Sequence, residues 1–306
     1  MIERCRTWLN APVDAAALAA FRVAVGLMVT VSAVRFIVYG WVDDFFVKPT
    51  FFFKHLGFAW VPVPSSTTVH ALFWMLVALG VLVTLGLFYR VAIVALFIGF
   101  SWVQLMDATN YLNHYYLVSL LLLLLSTMPL GDAYGLDGRR RRTSISTLPR
   151  WMTVVLRLQV GCVYFYAGLA KLDADWLLHA QPLGIWLTSR TSMPLVGPLL
   201  AQWWAPWLFS WCGFLFDTSI VFLLLWSRTR LLAYVAVVVF HSLTMALFPI
   251  GMFPVIMMVA ALVFFSSSWP RRFVRLTPPT TTSTTTTPLQ PATTTLLVAW
   301  AAVQLL

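Results

Sequence analysis

The sequence is short of charge, and above all of acidic charge. Only 10% of its 306 residues are charged, and the acidic ones are nine Asp and a single Glu. Ordinary soluble domains are about 25% charged and about 45–50% apolar, whereas this chain is 60% hydrophobic. A soluble globular enzyme is excluded because a chain with so few polar residues cannot cover the surface of a soluble fold. A disordered chain is excluded because its hydrophobicity would be much lower.

Cysteine and the common catalytic glycine motifs are also scarce. The three cysteines, Cys5, Cys162 and Cys212, are widely spaced and form no CxxC pair, and the histidines within apolar segments lack HxxxH or ExxH spacing. No metal site is therefore predicted. The sequence has no GxSxG, GxxxxGK[ST] or GxGxxG signal, which argues against nucleophile-elbow hydrolases, P-loop NTPases and dinucleotide-binding domains.

Long apolar runs are what the sequence does contain. A helix needs about 20 apolar residues to cross a bilayer. Eight runs approach this length and predict an all-α polytopic transmembrane helix bundle, at about 15–38, 68–88, 91–107, 114–130, 152–173, 205–226, 231–248 and 250–267.

Three regions follow from this pattern. Residues 1–275 form the predicted transmembrane domain. Residues 276–293 are rich in Thr and Pro, which predicts a flexible linker. The apolar run 294–306 is too short to span a membrane, so we expect the start of a ninth helix in a truncated chain. An interfacial tail is the alternative.

The excess of basic residues predicts an orientation. With a cytoplasmic N-terminus, the inside loops hold thirteen bases and the outside loops hold three, Lys48, Lys54 and Arg190. Because cytoplasmic loops of membrane proteins collect Lys and Arg, the formal charge of +10 is interpreted as a topology signal. The chain is therefore predicted to be a multi-pass integral membrane protein that contacts membrane lipid and binds no nucleic acid.

A polar stretch separates the third and fourth apolar runs. If LMDATNYLNHYYL is helical, spacings of four and seven place Asp107, Tyr111 and His114 on one face. A carboxylate beside an imidazole can fix its tautomer. The alternative is a polar loop between two spans, with His114 as a helix cap.

Lys171 ends the fifth apolar run, in YFYAGLAKLDADW, with Asp173 and Asp175 just after it. One interpretation is a lysine that reaches the lipid headgroups from the end of its helix. The other is a partly desolvated lysine that acts as a base. An ion pair with Asp175 would oppose the second interpretation.

Two further ionisable residues lie inside apolar runs, where such groups are costly and often functional. His241 stands in FHSLTMALFPIGMF, and a hydrogen bond to a neighbouring helix is the alternative to a role in a site. Asp217 lies in the middle of a span and needs a partner there. Three arginines are considered for that role: Arg22, Arg35 and Arg157.

Several strings together resemble the vitamin K-dependent gamma-carboxylase family, within the wider group of HTTM-type membrane domains. The resemblance covers about residues 14–275 in order. Its strings are AALAAFRVAVGLMV, LFYRVAIVALFIGFSWVQLMDATNYLNHYYL, YFYAGLAKLDADW, FHSLTMALFPIGMF and SSSWPRRFV. The most specific are AKLDADW and the string around His241.

The resemblance implies a coupled reaction and a set of site residues. Reduced vitamin K, or a related naphthoquinol, is oxidised to an epoxide by O₂, and the base so formed removes a γ-proton from a glutamate of a protein substrate, which then captures CO₂. The lysine that deprotonates the quinol in this family matches Lys171, and the histidine of an Asn-His pair, which supports the epoxidation, matches His114 after Asn113. Asp107 and His241 also fall on family-like positions, and we expect Asn113, Asp107 and His241 to line the cofactor site.

The resemblance also leaves alternatives. The carboxylases of this family continue into a large soluble part, and this chain stops in the ninth apolar run, so activity of the chain as given is an open question. The alternatives are a non-carboxylating HTTM-type protein that binds a quinone or lipid, and a transporter that uses Asp217 and the membrane arginines as a polar path. The topology places the expected site toward the extracytoplasmic side.

Overall fold

The computed structural model describes residues 2–274 together with positions 295, 297, 298, 300–302 and 304. These residues are mostly helical. The α-helices are α1 (Ile2–Asn10), α2 (Ala16–Val38), α3 (Ser66–Leu85), α4 (Tyr89–Met106), α5 (Asn113–Ser126), α6 (Leu136–Arg141), α7 (Trp151–Leu169), α8 (Ala174–Leu177), α9 (Leu183–Thr188), α10 (Gly197–Leu200), α11 (Ala205–Leu225), α12 (Arg230–Leu247) and α13 (Phe253–Ala260).

The chain divides into two compact units. The first comprises Met1–Leu156 and Ser266–Leu306, and the second comprises Arg157–Phe265. Helix α7 begins in the first unit and continues into the second. The first unit contains α1 to α6, and the second contains α8 to α13.

In the first unit, α2 and α3 pack closely at two glycines. A Cβ atom on Gly26 would lie 2.5 Å from Oγ1 of Thr84, and one on Gly80 would lie 3.1 Å from the carbonyl oxygen of Gly26. Two threonine hydroxyls at this contact donate to glycine carbonyls of their own helices. Thr30 donates to Gly26 and Thr84 donates to Gly80, both at 2.8 Å. Small residues thus let the two backbones approach each other, as in many membrane helix pairs.

A small antiparallel sheet closes the same unit at one end of its long helices. Strand β1 (Pro12–Asp14) pairs with β2 (Thr147–Pro149). Just beyond β1, the carboxylate of Asp14 accepts a hydrogen bond of 2.6 Å from Arg271, whose guanidinium also contacts the hydroxyl of Tyr134. This ion pair fixes the segment 266–274 to the start of the chain.

In the second unit, the long helices α11 and α12 pack against each other and α13 packs on α12. The short helices α8, α9 and α10 lie between α7 and α11 in the sequence, and each contacts α11 directly. Helix α13 tightens into a 3₁₀ turn at Ala261–Phe264. Arg157 donates to the carbonyls of Val263 and Phe265, at 2.8 and 2.9 Å, and so satisfies oxygens at the end of this helix.

The predicted all-α membrane fold is confirmed. Six of the described helices are long and apolar enough to cross a membrane: α2, α3, α4, α7, α11 and α12. Only 22% of the apolar window of α12 is buried inside the protein, and its exposed side chains include Leu231, Leu232 and Val239. Such faces are expected where lipid, not water, surrounds a helix.

The predicted number of eight spans is not confirmed. The fourth and eighth apolar runs form the shorter helices Asn113–Ser126 and Phe253–Phe264. The fourth, expected at 114–130, is shortened at its C-terminal end, where the helix stops at Ser126 ahead of Pro129. The eighth begins only after Gly251, whose φ of +61° interrupts the helical path.

The C-terminal expectations stay predictions. The linker predicted at 276–293 lies outside the described residues. Of the run 294–306, the described positions are 295, 297, 298, 300–302 and 304, and all of them except Gln304 are helical.

Candidate functional site

The second unit encloses a cavity of about 630 Å³. Most of its wall is apolar and comes from α7, α9, α11, α12 and the segment that leads into α13. Its aromatic lining residues are Tyr164, Trp176, Trp186, Phe209, Phe240, Phe248 and Phe253. The charged residues on the wall are Lys171, Arg190 and Asp217, and they are joined by His241. The cavity therefore suits a mainly apolar ligand that carries a few polar groups.

Lys171 and Asp217 form an ion pair on this wall. Nζ of Lys171 lies 2.6 Å from Oδ2 of Asp217 and also donates to the carbonyl of Ala167 at 3.0 Å. The lysine side chain is 17% exposed and that of the aspartate 7% exposed. Lys171 follows α7, which ends at Leu169, whereas Asp217 lies within α11.

The pair answers two questions that the sequence left open. The partner of Asp217 is Lys171, and the partner of Lys171 is not the nearby Asp175, so the arginines considered for Asp217 were the wrong choice. The ammonium of Lys171 points to a carboxylate on a cavity wall, so it is not merely a group that reaches the headgroups. Asp173 instead begins α8, where its carboxylate accepts from the N–H of Asp175 at 2.6 Å.

Trp176 supports the ammonium from another direction. Nζ of Lys171 lies 5.0 Å from the centre of its ring, within the range of a cation–π interaction. The indole donates to the carbonyl of Ser210 at 3.0 Å, and the hydroxyl of Ser210 donates back to the carbonyl of Trp176. This reciprocal pair ties α8 to α11.

A close helix contact positions Asp217. A Cβ atom on Gly168 would lie 2.7 Å from Cγ2 of Thr218, the residue next to Asp217. The absence of a side chain at Gly168 therefore lets α7 and α11 approach near the ion pair. Gly161, two turns earlier on α7, has no such contact, because its nearest neighbour would be 3.6 Å away on Val221.

His241 lies deep in the same unit and is 1% exposed. Its Nε2 lies 3.2 Å from the hydroxyl oxygen of Tyr164, while its Nδ1 has no hydrogen-bond partner among the described residues. Phe216, Phe240 and Phe253 meet the ring edge to face, with centroid distances of 5.3–6.0 Å. His241 thus makes the hydrogen bond to a neighbouring helix considered from the sequence, and it also lines the cavity.

Arg190 is the second cation of the cavity. It lies two residues beyond α9 and is partly buried, and its Nε donates to the carbonyl of Leu247, the last residue of α12, at 2.8 Å. Nearby, Leu187, Leu200 and Leu247 form a small buried cluster. The sequence identified Arg190 only as a base of an outer loop.

The other predicted site residues belong to the first unit. The stretch that holds them is not one helix, because α4 ends at Met106, a 3₁₀ turn spans Ala108–Asn110, and Leu112 is extended. The conditional alignment of Asp107, Tyr111 and His114 on one helical face was therefore wrong. The alternative of a polar loop matches the structure, but His114 does not cap the helix, because Leu112 holds the cap position and His114 is the second residue of α5.

Asp107 organises this loop. Its carboxylate accepts from the N–H of Phe53 and of Thr109, both at 3.1 Å, and from the Thr109 hydroxyl at 2.8 Å. Asn113 is exposed and begins α5, and His114 is buried with its ring 4.6 Å from that of Tyr115. The geometry gives Asp107 a structural role before any ligand is considered.

The structure brings together Lys171 and His241 and adds residues that the sequence did not assign to a site. Tyr164, Trp176 and Arg190 are additions, and Asp217 gains a place beside Lys171. For Asp217, the one sequence signal of a functional role was its position in the middle of an apolar run. Among the described residues, no group of three or more His, Cys, Asp or Glu could hold a metal ion.

Comparison with known proteins gives one family. The family model described as "HTTM domain" matches residues 10–269, which is most of the chain. A search of the solved structures found no match.

Proposed function

Starting from the fact that the chain belongs to the HTTM domain family, we propose that it is a quinol-dependent carboxylase of glutamate side chains. It is a membrane protein by its family and by its six long apolar helices. The proposed co-substrates are reduced vitamin K or a related naphthoquinol, O₂ and CO₂. The proposed partner is a glutamate-containing protein.

The observation that carries the proposal is the Lys171–Asp217 pair on the wall of an apolar cavity. A lysine at the edge of a water-poor site is a suitable base, provided that a neighbour can hold its proton. Asp217 is that neighbour, because its Oδ2 lies 2.6 Å from Nζ. The proposal also follows the resemblance, in which Lys171 matches the catalytic lysine.

The cavity fits a reduced naphthoquinol. Its volume of about 630 Å³ and its aromatic wall suit a fused ring and part of an isoprenoid tail. Lys171 would hold one ring oxygen, and His241, whose Nδ1 is buried with no hydrogen-bond partner among the described residues, lines the same cavity. Oxidation of the naphthoquinol by O₂ would supply the strong base that removes a γ-proton of glutamate. The γ-carbon, now a carbanion, would then add CO₂.

The chain's own part in the first step is a proton transfer. Lys171 must lose a proton from Nζ before it can accept one from a quinol hydroxyl. Asp217 can take that proton at Oδ2, which leaves a neutral amine beside a neutral carboxylic acid. Burial favours this transfer because two charged groups are costly to desolvate in an apolar site. The neutral amine and carboxylic acid avoid that cost.

The residues of the first unit receive narrower roles. The contribution of His114 to epoxidation and the place of Asn113 in the cofactor site, which the resemblance implies, stay proposals. Asp107 is reassigned from cofactor binding to positioning, because its carboxylate already accepts hydrogen bonds from Phe53 and Thr109. It fixes the turn that leads into α5.

We also propose the orientation with a cytoplasmic N-terminus and an extracytoplasmic site. Thirteen bases in one set of loops against three in the other support it.

The test is turnover by the purified full chain in liposomes. The mixture contains reduced vitamin K, O₂, labelled CO₂ and a glutamate peptide, and both the epoxide and the labelled peptide are measured. We expect both products from the natural sequence and at least a hundredfold less of each from Lys171→Met. Lys48→Met is the matched control, because that lysine pairs with Asp44 on the surface. Normal epoxide formation by Lys171→Met would exclude the proposed base.

A second candidate is an HTTM-type protein that binds a quinone or lipid without carboxylating anything. The predominantly apolar wall of the cavity favours it, because binding alone needs no proton acceptor. Saturable quinone binding with neither product would support this candidate. A transporter has less support, because Asp217 pairs with Lys171 and not with one of the arginines considered for a polar path.

A further inference from the structure

The charges on the cavity wall do not balance. Lys171 and Asp217 compensate each other across 2.6 Å, and Arg190 is the remaining cation of the lining. Among the described residues, no carboxylate lies within 4.0 Å of Arg190, since the ion pairs found there involve other residues. The wall therefore carries one net positive charge.

The geometry of Arg190 leaves its charged end available. Only Nε is used, in the 2.8 Å hydrogen bond to the carbonyl of Leu247. That bond fixes the guanidinium at the end of α12, where the helix dipole favours a cation. The two terminal nitrogens have no hydrogen-bond partner within the described part of the chain, although Arg190 lines the cavity.

We propose that Arg190 binds a carboxylate group in the cavity of the second unit. A guanidinium whose Nε is already held presents its terminal N–H groups in one plane, which matches the two oxygens of a carboxylate. One carboxylate also neutralises the single unbalanced charge, whereas a phosphate monoester would overcompensate it.

The apolar surroundings restrict the ligand further. Trp186, Phe209 and Phe248 line the same cavity as Arg190, so a free inorganic anion would leave the aromatic wall unused. The group that fits is a carboxylate on an apolar or amphiphilic molecule. Two sources have this chemistry: a glutamate side chain among apolar neighbours, and a fatty acid.

This assignment rests on the proposed function in taking the cavity as the substrate site, and it deepens that function by naming the group that recognises the substrate carboxylate. Arg190 would hold the acidic side chain, while Lys171 and Asp217 handle the proton.

Binding can test the assignment without turnover. The full chain in lipid nanodiscs is titrated, without quinol or CO₂, with an acetylated and amidated Leu-Glu-Leu peptide, whose side chain is its single carboxylate. The Leu-Gln-Leu peptide and palmitate are titrated in parallel. We expect the glutamate peptide to bind the natural sequence about ten- to a hundredfold more tightly than Arg190→Gln, which corresponds to one charge-assisted hydrogen-bonded contact.

Two further variants separate binding from folding. Arg228→Gln makes the same charge change in the same unit at an exposed arginine that does not line the cavity, and it should bind like the natural sequence. Arg190→Lys retains the charge without the planar fork and should recover part of the affinity. Thermal melting of each variant identifies any that has unfolded.

The outcomes are distinct. Binding of the glutamate peptide that needs Arg190 supports the assignment and its peptide source, and it does so even if turnover fails. Arg190-dependent binding of palmitate alone supports the carboxylate site with a fatty acid as its source. Equal binding of the glutamate peptide to folded Arg190→Gln and to the natural sequence would overturn the proposal, as would failure of both carboxylates to bind.

Discussion

The ammonium of Lys171 and the carboxylate of Asp217 lie 2.6 Å apart although the two residues are separated by 46 positions. The exposed pair Lys48–Asp44 has the same distance, but its side chains are 71% and 47% exposed, against 17% and 7% for the pair in the cavity. Two ion pairs of equal length therefore sit in very different surroundings. Their contributions to stability should differ accordingly.

Removing one partner from the buried pair should be more costly than removing both. We expect Asp217→Asn and Lys171→Met each to lower the free energy of unfolding by about 3 kcal/mol, because a charge is left unpaired in an apolar site. The double variant should recover most of this loss. Lys48→Met and Asp44→Asn should each change stability far less, because water and salt screen an exposed ion pair. Denaturant titration in mixed micelles measures all five variants, and additive losses in the cavity pair would contradict the expectation.

A methyl group at Gly168 should disturb the site through helix packing. Gly168→Ala places Cβ against Thr218, which lies beside Asp217, and we expect a loss of about 1–3 kcal/mol of stability and a clear fall in turnover. Gly161→Ala, on the same helix, should change neither property.

The contact itself can be tested by making room for the added methyl. Thr218→Ser removes the Cγ2 atom that meets the new Cβ and keeps the hydroxyl that donates to the carbonyl of Phe214. The double variant Gly168→Ala/Thr218→Ser should therefore regain stability. If it is no more stable than Gly168→Ala, the close contact is not the cause.

His241 should matter more for binding than for folding. Three phenylalanine rings already surround its imidazole, so His241→Phe should be accommodated with only a small change in melting temperature. The variant loses both imidazole nitrogens, of which Nε2 lies 3.2 Å from the hydroxyl of Tyr164, at a position that lines the cavity. We expect about five- to tenfold weaker quinol binding, in line with one lost hydrogen bond, measured by quenching of tryptophan fluorescence. Unchanged affinity would remove His241 from the site.

Asp132, which lies outside the membrane helices, should make the stability of the protein depend on pH. Burial raises the pKa of its carboxyl from 3.8, and attraction to Arg141 opposes this less strongly. The folded protein therefore holds the proton longer than the unfolded chain, and stability falls as the pH rises from about 3.8 through the raised pKa. Asp132→Asn should gain stability relative to the natural sequence over that interval and keep the gain at neutral pH. Denaturant titrations at several pH values measure this, with the exposed Asp175→Asn as control; a gain that does not depend on pH would contradict it.

Labelling can test the proposed orientation. Arg140 is exposed and lies in the short helix α6, in the segment between the fourth and fifth apolar runs that we place in the cytoplasm. In a background with Cys5 and Cys212, which are both exposed, changed to Ser, Arg140→Cys should resist an impermeant thiol reagent in intact cells and react after lysis. Lys48→Cys should react in both conditions. If Arg140→Cys reacted in intact cells and Lys48→Cys did not, the orientation would be opposite to the one proposed.

The fold was largely predictable because each long helix is encoded locally, by about twenty apolar residues in succession. Where prediction failed, the structure depended on single backbone breaks. Leu112 is extended and Gly251 has a positive φ, and neither break alters the apolar character of its run. The break at Gly251 shortened the eighth expected span, and the extended Leu112 separated Asp107 from the helix that contains His114.

The site was less predictable because its pairs join distant positions. A lysine followed by Asp173 and Asp175 suggests a local partner, but helix packing at Gly168 brings Asp217 to it instead. Arg190 gave no signal, since a base in a loop counts equally toward topology whether it faces water or a cavity. Sequence pattern identified which residues were unusual, and packing decided which of them met.

The paired hydrogen bonds between Trp176 and Ser210 bear on the rate of the proton transfer that we propose at Lys171. They attach the ring beneath the ammonium to α11, which also carries Asp217. Trp176, which contacts the ammonium, and Asp217, which would accept its proton, are therefore both attached to α11. We expect the distance between them to change little as the rest of the unit fluctuates. An arrangement of this kind lowers the reorganisation energy of proton transfer, because the surrounding dipoles are oriented before the charge shifts.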